Sequence, residues 1–424
     1  MTVLTLNQRR QNNFKKSFFL IEGGFYFFQG IFASGLQVFF TFYMTQVFDL
    51  DITKIAAITA MTGVPMYLKM FTGLLSDKVP IGKFGRRKPY ILLGCIAFVI
   101  AFAFLIGISK FSSLWVFAFI LCNVAFVIVD GTADALTVDI TPDEYITKMQ
   151  GIANAGRYAG MAVGIIIGSF LSEIIGWVPV IVILGVAAIL QTGAAMLFRE
   201  IETVSEKTNE LSFAQSFKLG FGNKGAILGL FFSVLFMGSF GVTYIINPVL
   251  MENVSTSVYG IANLVGYIVV ALSAYFTGIV VNKFGGVTSK IIFILYGLIW
   301  LFMVPWLFVL GNWDNTVAVI LAQTCMGVSR GIVTVVTYAV LMRLCSEALE
   351  GFMFAIFTSL MNVGQLALTP NIVAYFGNTL GWGMISALFV MMPIMLIGVL
   401  LVPGINKSIA QKAARREKIE NKVI

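Results

Sequence analysis

Long apolar blocks, each closed by a few polar or charged residues, recur along the whole 424-residue chain. Their lengths suit helices crossing a hydrocarbon core of ~30 Å, which takes about 20 residues at ~1.5 Å each. Twelve such helices are predicted, at 17–45, 54–76, 89–110, 113–140, 147–175, 177–198, 224–251, 257–281, 290–311, 315–343, 349–376 and 380–402. The longest polar connection, 199–223, falls near the middle and is rich in Glu, Lys, Ser and Asn. The pattern predicts an all-α polytopic membrane protein of two six-helix halves, 1–198 and 224–402. A linker at 199–223 joins them, and a basic tail follows at 403–424.

Composition sharpens this picture. Hydrophobic residues make up 58% of the chain, against roughly 45–50% in a soluble domain. The mean hydropathy is +0.92. A net charge of +8 would suit a nucleic-acid partner in a soluble protein. Here the basic residues sit in short loops and the tail, so the expected surroundings are the lipid bilayer and no nucleic acid. With the N-terminus inside, 23 of the 28 Lys and Arg fall on the cytoplasmic side and only Lys54 and Lys110 on the other. By the positive-inside rule both termini are expected in the cytoplasm, with the cell membrane as location. The first residues, "MTVLTLNQRRQNNFKK", hold no apolar core before a cleavage site, so no cleaved signal peptide is expected. Cys95, Cys122, Cys325 and Cys345 lie in or beside apolar runs and read as membrane-buried hydrophobes. There is no histidine, so proton chemistry falls to carboxylates.

The two halves repeat. "FTGLLSDK" at 71–78 returns as "FTGIVVNK" at 276–283, which aligns Gly73 with Gly278. Further on, Asp130 aligns with Arg330 and Gly151 with Gly351. Repeated halves point to a transporter with its substrate near the midplane between them.

Gly73, Asp77, Gly85, Arg86 and Arg87 resemble the signature loop between helices 2 and 3 of the major facilitator superfamily. Within it, "YLKMFTGLLSDKVPIGKFGRRKPYILLG", "VDGTADAL" and "EGFMFAIFTSLMNVG" are similar to the folate-biopterin transporter family. "KFGRRKPY" and "ALTVDITPDEYITKMQGIANAGR" resemble the glycoside cation symporters and sucrose carriers. The resemblance implies the twelve-helix facilitator fold. It also implies that Asp77, Arg86, Arg87 and Asp139 close the inner side by charge-assisted bonds, with Gly73 part of the same cytoplasmic gate. Lys83 and Lys88 read as topological anchors.

Charge inside a bilayer is costly and faces a cavity or a partner. The predicted spans hold Glu22, Lys69, Asp130, Asp134, Arg157 and Arg330. Counting ~1.5 Å per residue puts Asp130 and Arg157 near one depth and Glu22, Lys69 and Asp134 closer to the cytoplasmic end. Two clusters are therefore expected, serving either ion coupling or static bracing. Asp130 and Asp134 are four apart and share a helix face, where they repel unless a cation sits near. Arg330 has no acidic residue within the spans of its own half except Glu350 at the very start of 349–376. Its expected partner is Asp130 across the cavity or an anionic group of the substrate. Gln29, Asn247, Gln323 and Asn362, with Tyr244 and Gln365, are polar candidates for orienting a ligand or bridging helices. Asn247 stands out because Pro248 frees backbone groups beside it.

No phosphate-binding G-x-x-x-x-G-K-[ST] loop is present. No catalytic residue, metal or cofactor is expected, and the chain does not read as an enzyme. The expected function is secondary active transport of a small organic solute by a monomer. The solute is read as anionic and folate- or pterin-like, with a sugar or glycoside as the alternative. The coupling cation is a proton, with sodium as the alternative. The rival class, a non-transporting scaffold on the same fold, gains nothing from an unpaired Arg330.

Overall fold

The computed structural model describes residues 6–34, 40, 43–44, 47–50, 54, 58, 61–79, 81, 85–108, 110–200, 212–309, 312–346 and 349–420. Among them there are helices and no strand. A short helix, α1 (Leu6–Asn13), precedes α2 (Ser17–Ser34), α3 (Lys69–Lys78), α4 (Lys88–Gly107), α5 (Ser113–Ile140), α6 (Ile146–Ile165) and α7 (Trp177–Met196). A second set follows: α8 (Phe213–Phe221), α9 (Lys224–Phe232), α10 (Thr256–Lys283), α11 (Ser289–Leu301), α12 (Thr316–Leu344), α13 (Glu350–Val363) and α14 (Met391–Glu420). Among the described residues nine helices are long and apolar enough to cross a membrane. The other three predicted spans are those with Glu22 and Gln29, with Lys69, and with Gln150, Asn154 and Arg157. Lys83 and residues 201–211 of the predicted linker lie outside the described residues. The rest of the linker includes α8, started by a capping box at Ser212 and Gln215. The helix α14 runs past residue 402 to Glu420.

Side-chain caps start the long helices where the chain leaves the polar loops. Ser112 accepts from the Trp115 amide, Ser255 from Val258, Thr288 from Ile291 and Asn315 from Ala318. Each satisfies a backbone donor that the helix leaves free. Apolar stripes such as Leu93, Ile96, Ile100 and Phe104 on α4 stay exposed, as a lipid-facing surface requires. Three helices depart from α geometry in their outer parts: α6 runs on through a π-helical segment at Ile166–Leu171, α9 at Ser233–Met237 and α13 at Gly364–Leu368. In α9 this irregularity lies before Pro248, which sits within the regular stretch Thr243–Asn253.

The two sets meet along α6 against α10 and α3 against α13. Both crossings depend on glycine. A Cβ on Gly73 would lie 2.3 Å from the Gly351 carbonyl oxygen, and one on Gly151 would lie 2.8 Å from the Gly278 Cα. Sequence repeat aligns Gly73 with Gly278 and Gly151 with Gly351. Exchanging the sets therefore turns one crossing into the other, which is the mark of a pseudo-two-fold axis. These contacts lie toward the end of the bundle where Arg10 of α1 and Ile409 of α14 line one cavity; this end is called the terminal face below.

Gly278→Leu should wedge α10 from α6. Gln150, 4% exposed beside Met342 of the second set, is a suitable reporter. In a background without native cysteines, Gln150→Cys should react with a thiol reagent about tenfold faster when Gly278→Leu is added. That rise corresponds to ~1.4 kcal/mol in the open–closed balance. Equal rates in the folded proteins would refute the close crossing.

Candidate functional site

A seam of small residues fixes the first part of the site. Gly156, Gly160 and Gly164 recur every four residues on one face of α6 and lie against the backbone of α2, where a Cβ on Gly160 would be 1.9 Å from the Phe27 carbonyl oxygen. Such a stripe lets two helices in lipid approach backbone to backbone. Arg157, next to Gly156, is thereby held beside Tyr26 and Gln29 of α2. Its Nη2 donates to Gln29 Oε1 at 3.0 Å and to Asp130 Oδ1 of α5 at 2.6 Å. Its guanidinium lies 4.6 Å from the centre of the Tyr26 ring.

Lys69 of α3 closes the arrangement. Its Nζ reaches Asp130 Oδ2 at 2.6 Å and Asp134 Oδ2 at 2.5 Å, and the Tyr26 hydroxyl donates to Asp134 Oδ1 at 2.5 Å. The two clusters expected from depth are thus one network across α2, α3, α5 and α6. The long lysine side chain accounts for the difference, because it reaches between two carboxylates one helical turn apart. Two cations face two aspartates, so the repulsion expected between Asp130 and Asp134 is relieved. Glu22 stands at the edge and accepts from the Thr137 hydroxyl rather than pairing with Lys69.

Arg330 lies across the interface on α12, and no carboxylate pairs with it among the described residues. Its guanidinium is 5.3 Å from the ring centre of Tyr158 on α6 and 5.6 Å from that of Tyr267 on α10. Those rings stack on each other from opposite sets, 6.2 Å apart. Aromatic faces thus take the place of the expected partner Asp130, which Lys69 and Arg157 already occupy. Gln323 is two turns from Arg330 and lines the same crevice between α10 and α12. Its Nε2 donates to Asn263 Oδ1 at 3.1 Å, while its own Oε1 is buried without a donor among the described residues. Asn247 Oδ1 is likewise buried without a donor. Asn362 reaches across the sets to the Met66 carbonyl at 3.3 Å.

At the terminal face Arg87, fully buried, binds Asp77 through Nη2 and Asp139 through Nε at 3.0 Å. Arg86 donates to the same Asp139 oxygen at 3.0 Å. Asp77 also accepts from the Phe352 amide of α13 at 2.6 Å, so the arginine pair is tied directly to the second set. Gly73 packs one turn before Asp77, at the crossing described above. Two members of this face were not legible in the signature loop. The Glu200 carboxylate accepts from the backbone amides of Arg86 at 2.6 Å, Arg87 at 2.7 Å and Lys88, and so holds the start of α4. Arg10 of α1 is 4% exposed and bridges the sets, donating to the Asp139 carbonyl at 2.9 Å and to Glu350 Oε1 at 2.6 Å. Burial works against the Arg10 charge, but Glu350, Asp139 and Asp143 more than offset it and hold its pKa above the ordinary arginine value.

A sequence model of the Major Facilitator Superfamily matches residues 23–366. The chain belongs to this superfamily. It is a multi-pass membrane transporter and not an enzyme. The fold is similar to that of the E. coli fucose:proton symporter FucP, at TM-score 0.67 and 11% identity over 91% of this chain and 97% of that one. A second structure of FucP, in the outward conformation, matches at the same TM-score, identity and coverage. The chain is also 27% identical over 150 residues to a probable folate-biopterin transporter 2 of Arabidopsis thaliana. That match spans 35% of this chain and 30% of the relative's length.

Removing one partner from a buried charge network leaves the other uncompensated, at a cost of roughly 3–5 kcal/mol. Lys69→Met should therefore lower the melting temperature of the purified protein strongly. Adding Asp134→Asn should recover most of the loss, because one cation then faces one aspartate. A single variant that melts with the wild type would show that Lys69 is not a buried bridge.

Proposed function

We propose that the protein is a proton-coupled secondary transporter of a small organic anion. It works by rocking its two six-helix halves about the interface where Arg330 of α12 meets Tyr158 of α6. The observation that carries this reading is Lys69 Nζ held between Asp130 and Asp134. Neither aspartate needs a proton while both cations are in place. When Lys69 or Arg157 swings away as α3 or α6 shifts against α5 within the first half, a carboxylate left in low dielectric takes a proton. Arg330 supplies the substrate end. A guanidinium stays charged at working pH and offers a fork that fits a carboxylate. The stacked pair Tyr158 and Tyr267 offers flat faces beside it, and Gln323 a free acceptor. A flat anionic solute of the folate or pterin kind suits these groups. The partial likeness to the Arabidopsis folate-biopterin transporter supports the same class. The basic loops and tail support a cytoplasmic terminal face in the cell membrane, and the protein is taken as a monomer.

Cysteines at Asn312 and Asn378 should be labelled only from outside sealed cells, whereas one at Lys15 should be labelled only after permeabilisation. The reverse pattern would invert the assigned direction of the gate.

Purified protein should bind a folate or pterin carboxylate in a thermal-shift assay. Arg330→Ala and Arg330→Lys should both lose that binding by tenfold or more, the loss of about one charge-assisted bond at ~1.5–3 kcal/mol. Asp130→Asn should abolish gradient-driven accumulation in vesicles yet retain solute exchange. A preferred solute without negative charge, or full affinity in Arg330→Ala, would overturn the anion reading in favour of a sugar or glycoside.

A further inference from the structure

A carboxyl pair at the terminal face is not part of the buried Lys69 network. Glu350 opens α13 in the second set and is 3% exposed; Asp139 lies near the end of α5 in the first set and is 4% exposed. Arg10 holds the two residues side by side, donating to the Asp139 carbonyl at 2.9 Å and to Glu350 Oε1 at 2.6 Å, and each carboxyl acts on the charge of the other. Each has one oxygen well supplied with donors. Glu350 Oε1 accepts from Arg10, and Asp139 Oδ2 accepts from Arg86 and Arg87. The remaining oxygens, Glu350 Oε2 and Asp139 Oδ1, are both buried and have no donor among the described residues. A carboxylate oxygen only accepts, so two of them in contact repel; one proton turns the contact into an O–H···O bond.

We propose that Asp139 and Glu350 share one proton while the halves meet at the terminal face, and that parting the halves releases it to the solvent on that side. The proposal rests on the alternating-access reading and adds a second proton site to it. The charged surroundings set its strength. Arg10 from α1 and Arg86 and Arg87 ahead of α4 favour ionised carboxylates. Asp77 at the end of α3 and Asp143 ahead of α6 favour the proton. Arg343, at the end of α12, and Glu144 face the same cavity, of about 470 Å³. That cavity gives the pair a route to water once the contact loosens. When the halves separate, each carboxyl becomes exposed and regains water, and the shared proton has no remaining reason to stay.

The sign of the linkage follows. A proton bound more tightly in the closed form stabilises closure at low pH, and this stabilisation is lost as pH rises past the affinity of the closed pair. Nitroxide labels at Lys15→Cys and Lys290→Cys, one on each set, read the opening as a distance distribution in the full-length protein. The closed population of the wild type should fall as pH rises. Glu350→Gln carries the hydrogen permanently and should stay closed with no such midpoint; Asp139→Asn serves the same end if the first variant folds poorly. Arg10→Ala removes a cation beside the pair and should move the midpoint upward by roughly 1–3 pH units, whereas a purely structural bridge would only reduce the closed fraction at every pH. An infrared carboxylic C=O band of the closed form should vanish in Glu350→Gln. A distance distribution in the wild type that ignores pH, or an unchanged midpoint in Glu350→Gln, overturns the shared proton. Failure to accumulate any solute in vesicles would instead sink the transport reading and leave the distance titration standing.

Discussion

A charge in a low-dielectric slab has to be matched by a nearby partner, and the ammonium of Lys69 between Asp130 and Asp134 is where this chain meets that demand. Without it, two carboxylates one turn apart on α5 would share a dry face with only Arg157 opposite. With it, four helices are tied at one depth: α3 through Lys69, α5 through the aspartates, α6 through Arg157, and α2 through Tyr26 and Gln29. The network is strong only as a whole, because loss of any member exposes the rest to an uncompensated charge. That property suits a coupling device. A small displacement of one helix changes the protonation preference of the others, where an apolar contact would simply loosen.

The pseudo-two-fold axis explains where the halves touch and why they touch unequally. The crossings at Gly73–Gly351 and Gly151–Gly278 are copies of each other, and both require bare backbone. The polar groups around them are not copies. Asp77 in the first repeat aligns with Asn282 in the second. Asp77 gathers Arg86, Arg87 and the Phe352 amide, while the side-chain oxygen of Asn282 is buried without a donor. The first repeat is packed tight by its arginines, and the 470 Å³ cavity opens beside Asn282 and Arg343 of the second. Closure at the terminal face is therefore held mainly by one repeat.

Much of this was legible in the sequence because charge in an apolar run is conspicuous. Asp130, Asp134, Arg157, Lys69 and Arg330 stand out against their surroundings, and the first four meet in one network. Their partners were less legible. Depth arithmetic follows Cα positions, and a lysine side chain spans more than a helical turn, so Lys69 joined a pair it had been separated from. Tyr26, Tyr158 and Tyr267 are chemically decisive but sit among 13 tyrosines and 39 phenylalanines, where nothing marks a ring as facing a cation. Spacing held one clue: Glu22, Tyr26 and Gln29 fall on a single face of α2. Arg10 and Glu200 lay in stretches read as polar flanks, and their roles appear only when a short helix or a loop is folded back onto the bundle.

One helix connects the parts. Asp130 and Asp134 of α5 belong to the buried Lys69 network, Thr137 reaches Glu22, and Asp139 belongs to the terminal face. Asp130 and Asp139 are nine residue steps apart on continuous helix, or roughly 14 Å at the ordinary rise, and a helix of this kind moves as a rigid rod. A tilt of α5 within its own half that draws Asp139 from Glu350 also shifts Asp130 and Asp134 relative to Lys69 of α3 and Arg157 of α6. The two sites need no chain of intermediates to communicate, because the same body carries a carboxylate into each. Their charge environments then change in opposite senses. At the terminal face, opening lets water in and favours the ionised form. In the Lys69 network, loss of a cation in a dry surrounding favours the protonated one. Under the proposed proton sharing, a proton given up at one end of α5 would be matched by a rising affinity toward its middle, which is the order of events that a gradient-driven carrier requires.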